Sequence, residues 1–185
     1  MSLRIAQPYS GTGTPITLDG DDLYILAAGI TVHSTDISTA LFALGANNTF
    51  DIEGTLIGAY GLSTESGTVN IANSGVVAGW AGDGIGLGTG ASVLVNHGLI
   101  AGSRLGIRLD FDSSASVINY GRIIAELDGI ACDPTATIAT NVQNFGTITG
   151  LRGSAFRGTG TGDSLINKGQ INGNVDLGGG NDTYD

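Results

Sequence analysis

The stretch Asn96-His-Gly-Leu-Ile-Ala-Gly102 decides the fold, because the chain writes it five times. It stands upstream as Asn73-Ser-Gly-Val-Val-Ala-Gly79. Downstream it returns as Asn119-Tyr-Gly-Arg-Ile-Ile-Ala125, Asn144-Phe-Gly-Thr-Ile-Thr-Gly150 and Asn167-Lys-Gly-Gln-Ile-Asn-Gly173. Successive asparagines are 23, 23, 25 and 23 residues apart. A self-similar period of this length is the mark of a solenoid, in which each repeat is one turn of a coil.

The flanks carry the same period. Two residues before each Asn stand Ile71, Leu94, Val117, Val142 and Leu165, and four residues after it Val77, Ile100, Ile123, Ile148 and Ile171. Aliphatic residue, Asn, Gly and β-branched residue share one parity, so in extended chain they point to one side. Residues of the other parity vary freely, as Ser74, His97, Tyr120, Phe145 and Lys168 do. Constancy on one side and variety on the other describe an inside and an outside. A helical period does not fit these segments. A second short strand follows in each coil at Gly84-Ile85, Gly106-Ile107 and Gly129-Ile130.

One coil cannot bury its own inner face, but coils stacked about 4.8 Å apart make a continuous core. Inward asparagines then form an amide ladder, each bonded to the next, or else serve as turn residues tolerant of left-handed backbone. Weaker coils precede the clear ones. Gly54-Thr-Leu-Ile-Gly58 takes the place of the later Gly-x-Ile-x-Gly with Ile52 where Asn is expected, and Gly29-Ile-Thr-Val32 fits loosely. The expectation is an all-β chain: one single-stranded parallel β-helix (β-solenoid), right-handed, of about seven coils of about 23 residues. Residues 1–44 read as a cap with atypical coils, 45–173 as regular coils, and 174–185 as an acidic glycine-rich turn at a truncated end.

Composition agrees. Glycine supplies 32 of 185 residues, far above the usual share of about 7%, which suits a chain that turns often. Mean hydropathy of +0.22 argues against disorder. With a net charge of −10 and seven scattered Lys and Arg residues, no phosphate-tracking stripe can form, so nucleic acid is not an expected partner. Cys132 is the single cysteine, which rules out an intrachain disulfide and reads as a small core residue. No apolar run approaches about 18 residues, so no membrane insertion is expected. The opening MSLRIAQPYSGTG lacks the apolar core of a secretory signal. A signal has been removed, export takes another route, or the protein stays inside.

The closing segment Leu177-Gly-Gly-Gly-Asn-Asp-Thr-Tyr-Asp185 resembles the nonapeptide of the RTX (repeats-in-toxin) calcium-binding β-roll family, Gly-Gly-x-Gly-x-Asp-x-apolar-x. Gly178, Gly180, Asp182 and Tyr184 match, and Leu177 replaces the first glycine. The resemblance implies calcium as a cofactor, held by Asp176, Gly178, Gly180 and Asp182. In that family a complete site takes turns from two successive repeats, and only one is read here; the bland alternative is an ordinary solenoid turn. The polar turn Leu18-Asp-Gly-Asp-Asp22 is a fainter echo with one glycine. More broadly, coils of this type running into Asn174-Val-Asp-Leu-Gly-Gly-Gly resemble repeat regions of RTX proteins and autotransporter-like adhesins. That implies a bacterial protein that is secreted or at the cell surface. Export of the RTX type needs no N-terminal signal.

Two further functional readings come from the variable columns. Aligned on the glycine before the second strand, Asp110, Asp133 and Arg157 fall in one column; Asp83 and Asp128 share another, with Arg152 following. Acids and a base gathered on an outer face are what a polysaccharide lyase or uronate epimerase needs, though charge pairs on a solvated face give the same pattern. The residues after Asn form the other candidate. His97, Tyr120 and Phe145 would stack outward as a ligand face for a polysaccharide or a cell-surface protein, unless a neighbouring loop shields them. Open solenoid ends also allow head-to-tail or side-by-side self-association. The leading expectation is a structural or adhesive segment; the alternative is an enzyme acting on acidic polysaccharide.

Overall fold

A computed structural model describes residues 2–45 and 47–185; Met1 of the expected cap and Ala46 of the first regular coil lie outside the described residues. Every described element is a strand and every pairing between them is parallel. Each turn lays down three short strands, so the coil has three faces. In one turn these are Gly90–Asn96, Leu99–Gly102 and Ile107–Leu109. The first face is a nine-stranded sheet. The second and third join into one fourteen-stranded sheet through the long strand Thr147–Arg157. Nine strands on the first face enclose about 8 turns, one more than the sequence led us to expect.

Register follows the repeat. Asn73 pairs with Asn96, Asn96 with Asn119, Asn119 with Asn144, and Asn144 with Asn167. Ile52 pairs with Asn73, as read for the coil that lacks an asparagine. The aliphatic columns fill the interior: Leu94, Val117, Ile100, Ile123, Ile107 and Ile130 are all fully buried. Each such side chain contributes about 1.5–3 kcal/mol of transfer free energy, so the core is assembled in equal instalments, coil by coil. Cys132 lies in it as expected, and burial pushes its thiol up to about 12.

The asparagines form the ladder, not left-handed turns. Nδ2 of Asn73 donates to Oδ1 of Asn96 at 2.8 Å, Asn96 to Asn119 at 2.8 Å, Asn119 to Asn144 at 2.8 Å and Asn144 to Asn167 at 2.7 Å. Asn73 starts the chain of bonds, and its own Oδ1 is buried without a partner among the described residues because the coil below presents Ile52. The glycine two residues on is demanded by space. A Cβ on Gly98 would sit 2.1 Å from the carbonyl oxygen of Gly75, and on Gly121 2.2 Å from that of Gly98. Backbone of one coil occupies the volume a side chain would need in the next.

The one 25-residue interval is absorbed outside the strands. Leu109 pairs with Cys132 and Ser116 with Asn141, so the two extra residues lie in the loop from Asp133 to Thr140. A second irregularity sits in Thr147–Arg157. Ala125 pairs with Gly150 but Ile130 with Phe156, which adds a residue between them.

Candidate functional site

The outward column after the asparagines is a stack of rings. His97 and Tyr120 lie parallel with centroids 4.8 Å apart, and Tyr120 and Phe145 at 5.0 Å, with interplanar angles of 7° and 11°. The ladder fixes the spacing: each ring follows an Asn locked to its counterpart, so the rings can only sit one coil apart. Tyr120 is 49% exposed and Phe145 43%, so no loop shields them. Beside them on the first face runs a second outward column, Val95 and Ile118, both half-buried. The result is a flat, rigid, partly apolar strip. A second exposed apolar feature escaped the sequence reading: Trp80 and Leu151 flank a groove of about 370 Å³ floored by Ala78, Ala101 and Ile124. Its signal was the residue after each closing glycine, which varies too freely to reveal a column.

The acidic columns need correction. Asp110 and Asp133 are in register, since Leu109 pairs with Cys132. Arg157 belongs instead to the column of Arg108 and Ala131, because Ala131 pairs with Arg157 and Arg108 with Ala131. The extra residue in Thr147–Arg157 puts Ala155, not Gly153, beside Gly129, and the sequence alignment on Gly153 slips by two. Arg152 likewise leaves the column of Asp83 and Asp128, where Ser154 takes its place. Asp110, Asp133 and Arg157 still line one depression of about 210 Å³, with Arg108 and Cys132.

Within it the charges are already matched. Arg157 pairs with Asp128 at 3.0 Å and Arg152 with Glu126 at 3.0 Å. Arg108 grips Asp83 through Nε at 2.7 Å and Asp110 through its terminal nitrogen. Asp133 opens the inserted loop by accepting from the Thr135 hydroxyl at 2.6 Å and its N–H at 2.8 Å, bonds that hold its carboxyl below the usual range. Desolvation pushes Asp110 the other way, with Arg108 opposing it. Paired and loop-bound carboxylates describe a solvated charge face better than an acid and base awaiting substrate.

At the C-terminal turn, Gly178 and Gly180 adopt positive φ, +80° and +113°. Asp176 Oδ1 accepts from the N–H of Gly178 at 3.0 Å, and Asp182 Oδ1 from the N–H of Asp163 at 2.8 Å. Sequence reasoning counted a single turn, but a second stacks on it. Ser164 pairs with Thr183 and Leu165 with Tyr184, which lays Gly158-Thr-Gly-Thr-Gly-Asp163 against Leu177–Asp182. Asp163-Ser-Leu165 beside Asp182-Thr-Tyr184 was the legible signal. Asp163 itself is spent, its two oxygens accepting from Thr140 N–H at 2.7 Å and Thr159 N–H at 2.6 Å. No three His, Cys, Asp or Glu side chains converge on a point among the described residues. Calcium takes six to eight oxygens. The residues therefore fit a calcium ion only where main-chain carbonyls supply most ligands, with the second oxygens of Asp176 and Asp182 completing the set.

The chain matches no family model, and no curated protein or solved structure is found to be similar.

Proposed function

We propose that this chain is a structural and adhesive β-solenoid segment of a bacterial protein that is secreted or displayed at the cell surface. One observation carries the reading: the exposed, evenly spaced stack His97–Tyr120–Phe145 on a rigid face. Rings presented at fixed intervals cost nothing further to order when a partner arrives, which is how a flat surface gains affinity. Aromatic faces of this kind pack on sugar rings or on apolar patches of a surface protein. The supporting counterpart is the acidic face, where the carboxylates that could act on a glycan are held by arginines or by loop amides.

The test is retention of soluble protein on immobilised polysaccharide and on whole cells. The double variant Tyr120→Ala, Phe145→Ala should lose retention while its thermal midpoint stays within a few degrees, since both side chains lie outside the core. Retention unchanged in the double variant refutes the adhesive face. Turnover of acidic polysaccharide, seen as unsaturated uronate and lost in Asp110→Asn, would favour the lyase or epimerase reading instead. Calcium at the C-terminal turn is the accompanying proposal, supported by the stacking of two glycine-rich turns. Bound there by Asp176 and Asp182 with carbonyls near Gly178 and Gly180, it would tie the last coil to the one below. Millimolar calcium should then raise the thermal midpoint, and an Asp182→Ala variant should lose that rise; an unmoved midpoint removes the proposal.

A further inference from the structure

The third face carries a cleft of about 560 Å³, within the range of small-molecule sites and on a different side of the coil from the aromatic stack. Its floor and one wall come from a single outward column. Phe42 pairs with Ser63, Ser63 with Gly86, and Gly86 with Arg108, so the missing side chain at Gly86 gives the Arg108 guanidinium room to lie toward Ser63. Arg108 takes up that room: its terminal nitrogen would lie 3.1 Å from a Cβ on Gly86, and the Ser63 hydroxyl 3.4 Å. A second glycine shapes the wall. The ring of Tyr60 lies on Gly82, where a Cβ would meet it at 2.3 Å. Neither glycine has positive φ, so each is there for the space it leaves.

The polar groups are held in place from below. Arg108 is pinned between Asp83 and Asp110, and the carboxyl of Asp83 is 2% exposed. Oδ1 of Asp83 is buried with no hydrogen-bond partner among the described residues, so this carboxyl serves to anchor Arg108 from below and does not face the cleft. Around the rim stand Glu65, Arg104, Thr39 and Thr64. The cleft thus offers carboxylate acceptors, guanidinium donors, hydroxyls that do both, and the ring faces of Tyr60 and Phe42.

That mixture selects a ligand class. An anion would meet the carboxylates of Glu65 and Asp110; a cation would meet two guanidiniums, Arg104 and Arg108. A neutral polyol meets neither conflict, because each hydroxyl donates to a carboxylate and accepts from a guanidinium while its C–H face rests on an aromatic ring. We infer that the cleft floored by Ser63 and walled by Tyr60 and Arg108 binds a neutral saccharide. Both acids nearest the floor are bound to Arg108, so the site holds its sugar without cleaving it. The inference stands independently of the adhesive role of the aromatic stack.

The experiment is ligand-observed NMR on the full chain with galactose, glucose, mannose, N-acetylglucosamine and their disaccharides, and galacturonate as the anionic counterpart. Saturable binding of at least one neutral probe is expected, weakened about tenfold or more in Gly86→Leu, whose side chain takes the room in which Arg108 lies and drives the guanidinium into the cleft. Ser63→Leu fills the floor directly; thermal melts confirm that the variant read is folded, and either folded variant decides. Binding of none of the neutral probes, preference for galacturonate, or binding that survives in the folded floor-filling variant would overturn the inference. So would a loss seen in Tyr120→Ala rather than at the floor, since that moves the sugar to the aromatic stack.

Discussion

Asn119 is the middle rung of the ladder, accepting from Asn96 and donating to Asn144 at 2.8 Å each. Asn119→Ala leaves a buried donor and a buried acceptor orphaned, which should cost about 3 kcal/mol in urea unfolding. Asn167→Ala, at the half-buried end where one side lacks a rung, should cost less than about 1 kcal/mol. Equal losses would mean the ladder adds nothing beyond side-chain volume. The glycines allow a similar contrast. Gly121→Ala drives a Cβ to 2.2 Å from backbone of the coil below and should cost more than about 2 kcal/mol. Gly179 meets nothing closer than 3.7 Å, so Gly179→Ala should stay within about 0.5 kcal/mol of the parent in the same measurement.

Coils were legible where one element repeated its neighbour and illegible where it did not. From Asn73 on, the first two strands of each coil and the corner between them keep Asn, Gly and a β-branched residue at fixed offsets, and the register matches the repeat from Asn73 to Asn167. The third face has only a glycine before its strand as a marker, and Gly153 was a false one: the true counterpart of Gly129 is Ala155. A small residue is needed there because neighbouring backbone is close, and alanine can meet that need once the strand has bulged. The acidic site slipped with that marker, while the cleft was invisible because its lining, Phe42, Tyr60, Ser63 and Arg108, repeats no residue type from coil to coil. The N-terminal coil has its own tie, outside the repeat. Asp36 accepts from the N–H of Gly13 at 2.8 Å and of Ser38 at 3.0 Å and from the Ser34 hydroxyl, bonds that hold its carboxyl down to about 2. Because the folded value is depressed, this tie is complete above the usual carboxylate value of about 4 and lost as pH falls from there through about 2. Carbon-detected titration should show Asp36 titrating near the lower value, with amide exchange at Gly13 and Ser38 rising over the same window; a midpoint near 4 would show the tie is not made.

Along the whole molecule each turn touches only the turns above and below it, so stability should vary with position. Hydrogen exchange should be slowest in the turns from Val93 to Cys132, sandwiched on both sides, and fastest in Ser2–Ile5 and Gln170–Asp176, which are exposed at the ends. Uniform protection would instead indicate a single cooperative unit. The parallel pairing that makes this so has a further consequence. About 23 residues of chain are wound into each advance of about 4.8 Å, so eight turns reach only about 38 Å. Because the coils from Asn73 to Asn144 present the same interface to the next, a 23-residue unit duplicated or deleted among them meets neighbours that cannot tell the difference, whereas an insertion of any other length must hide in a corner, as the two extra residues before Asn141 do. Length in such a protein is a quantity a gene can count out in whole units, and the outward columns can be rewritten rung by rung while the ruler stays true.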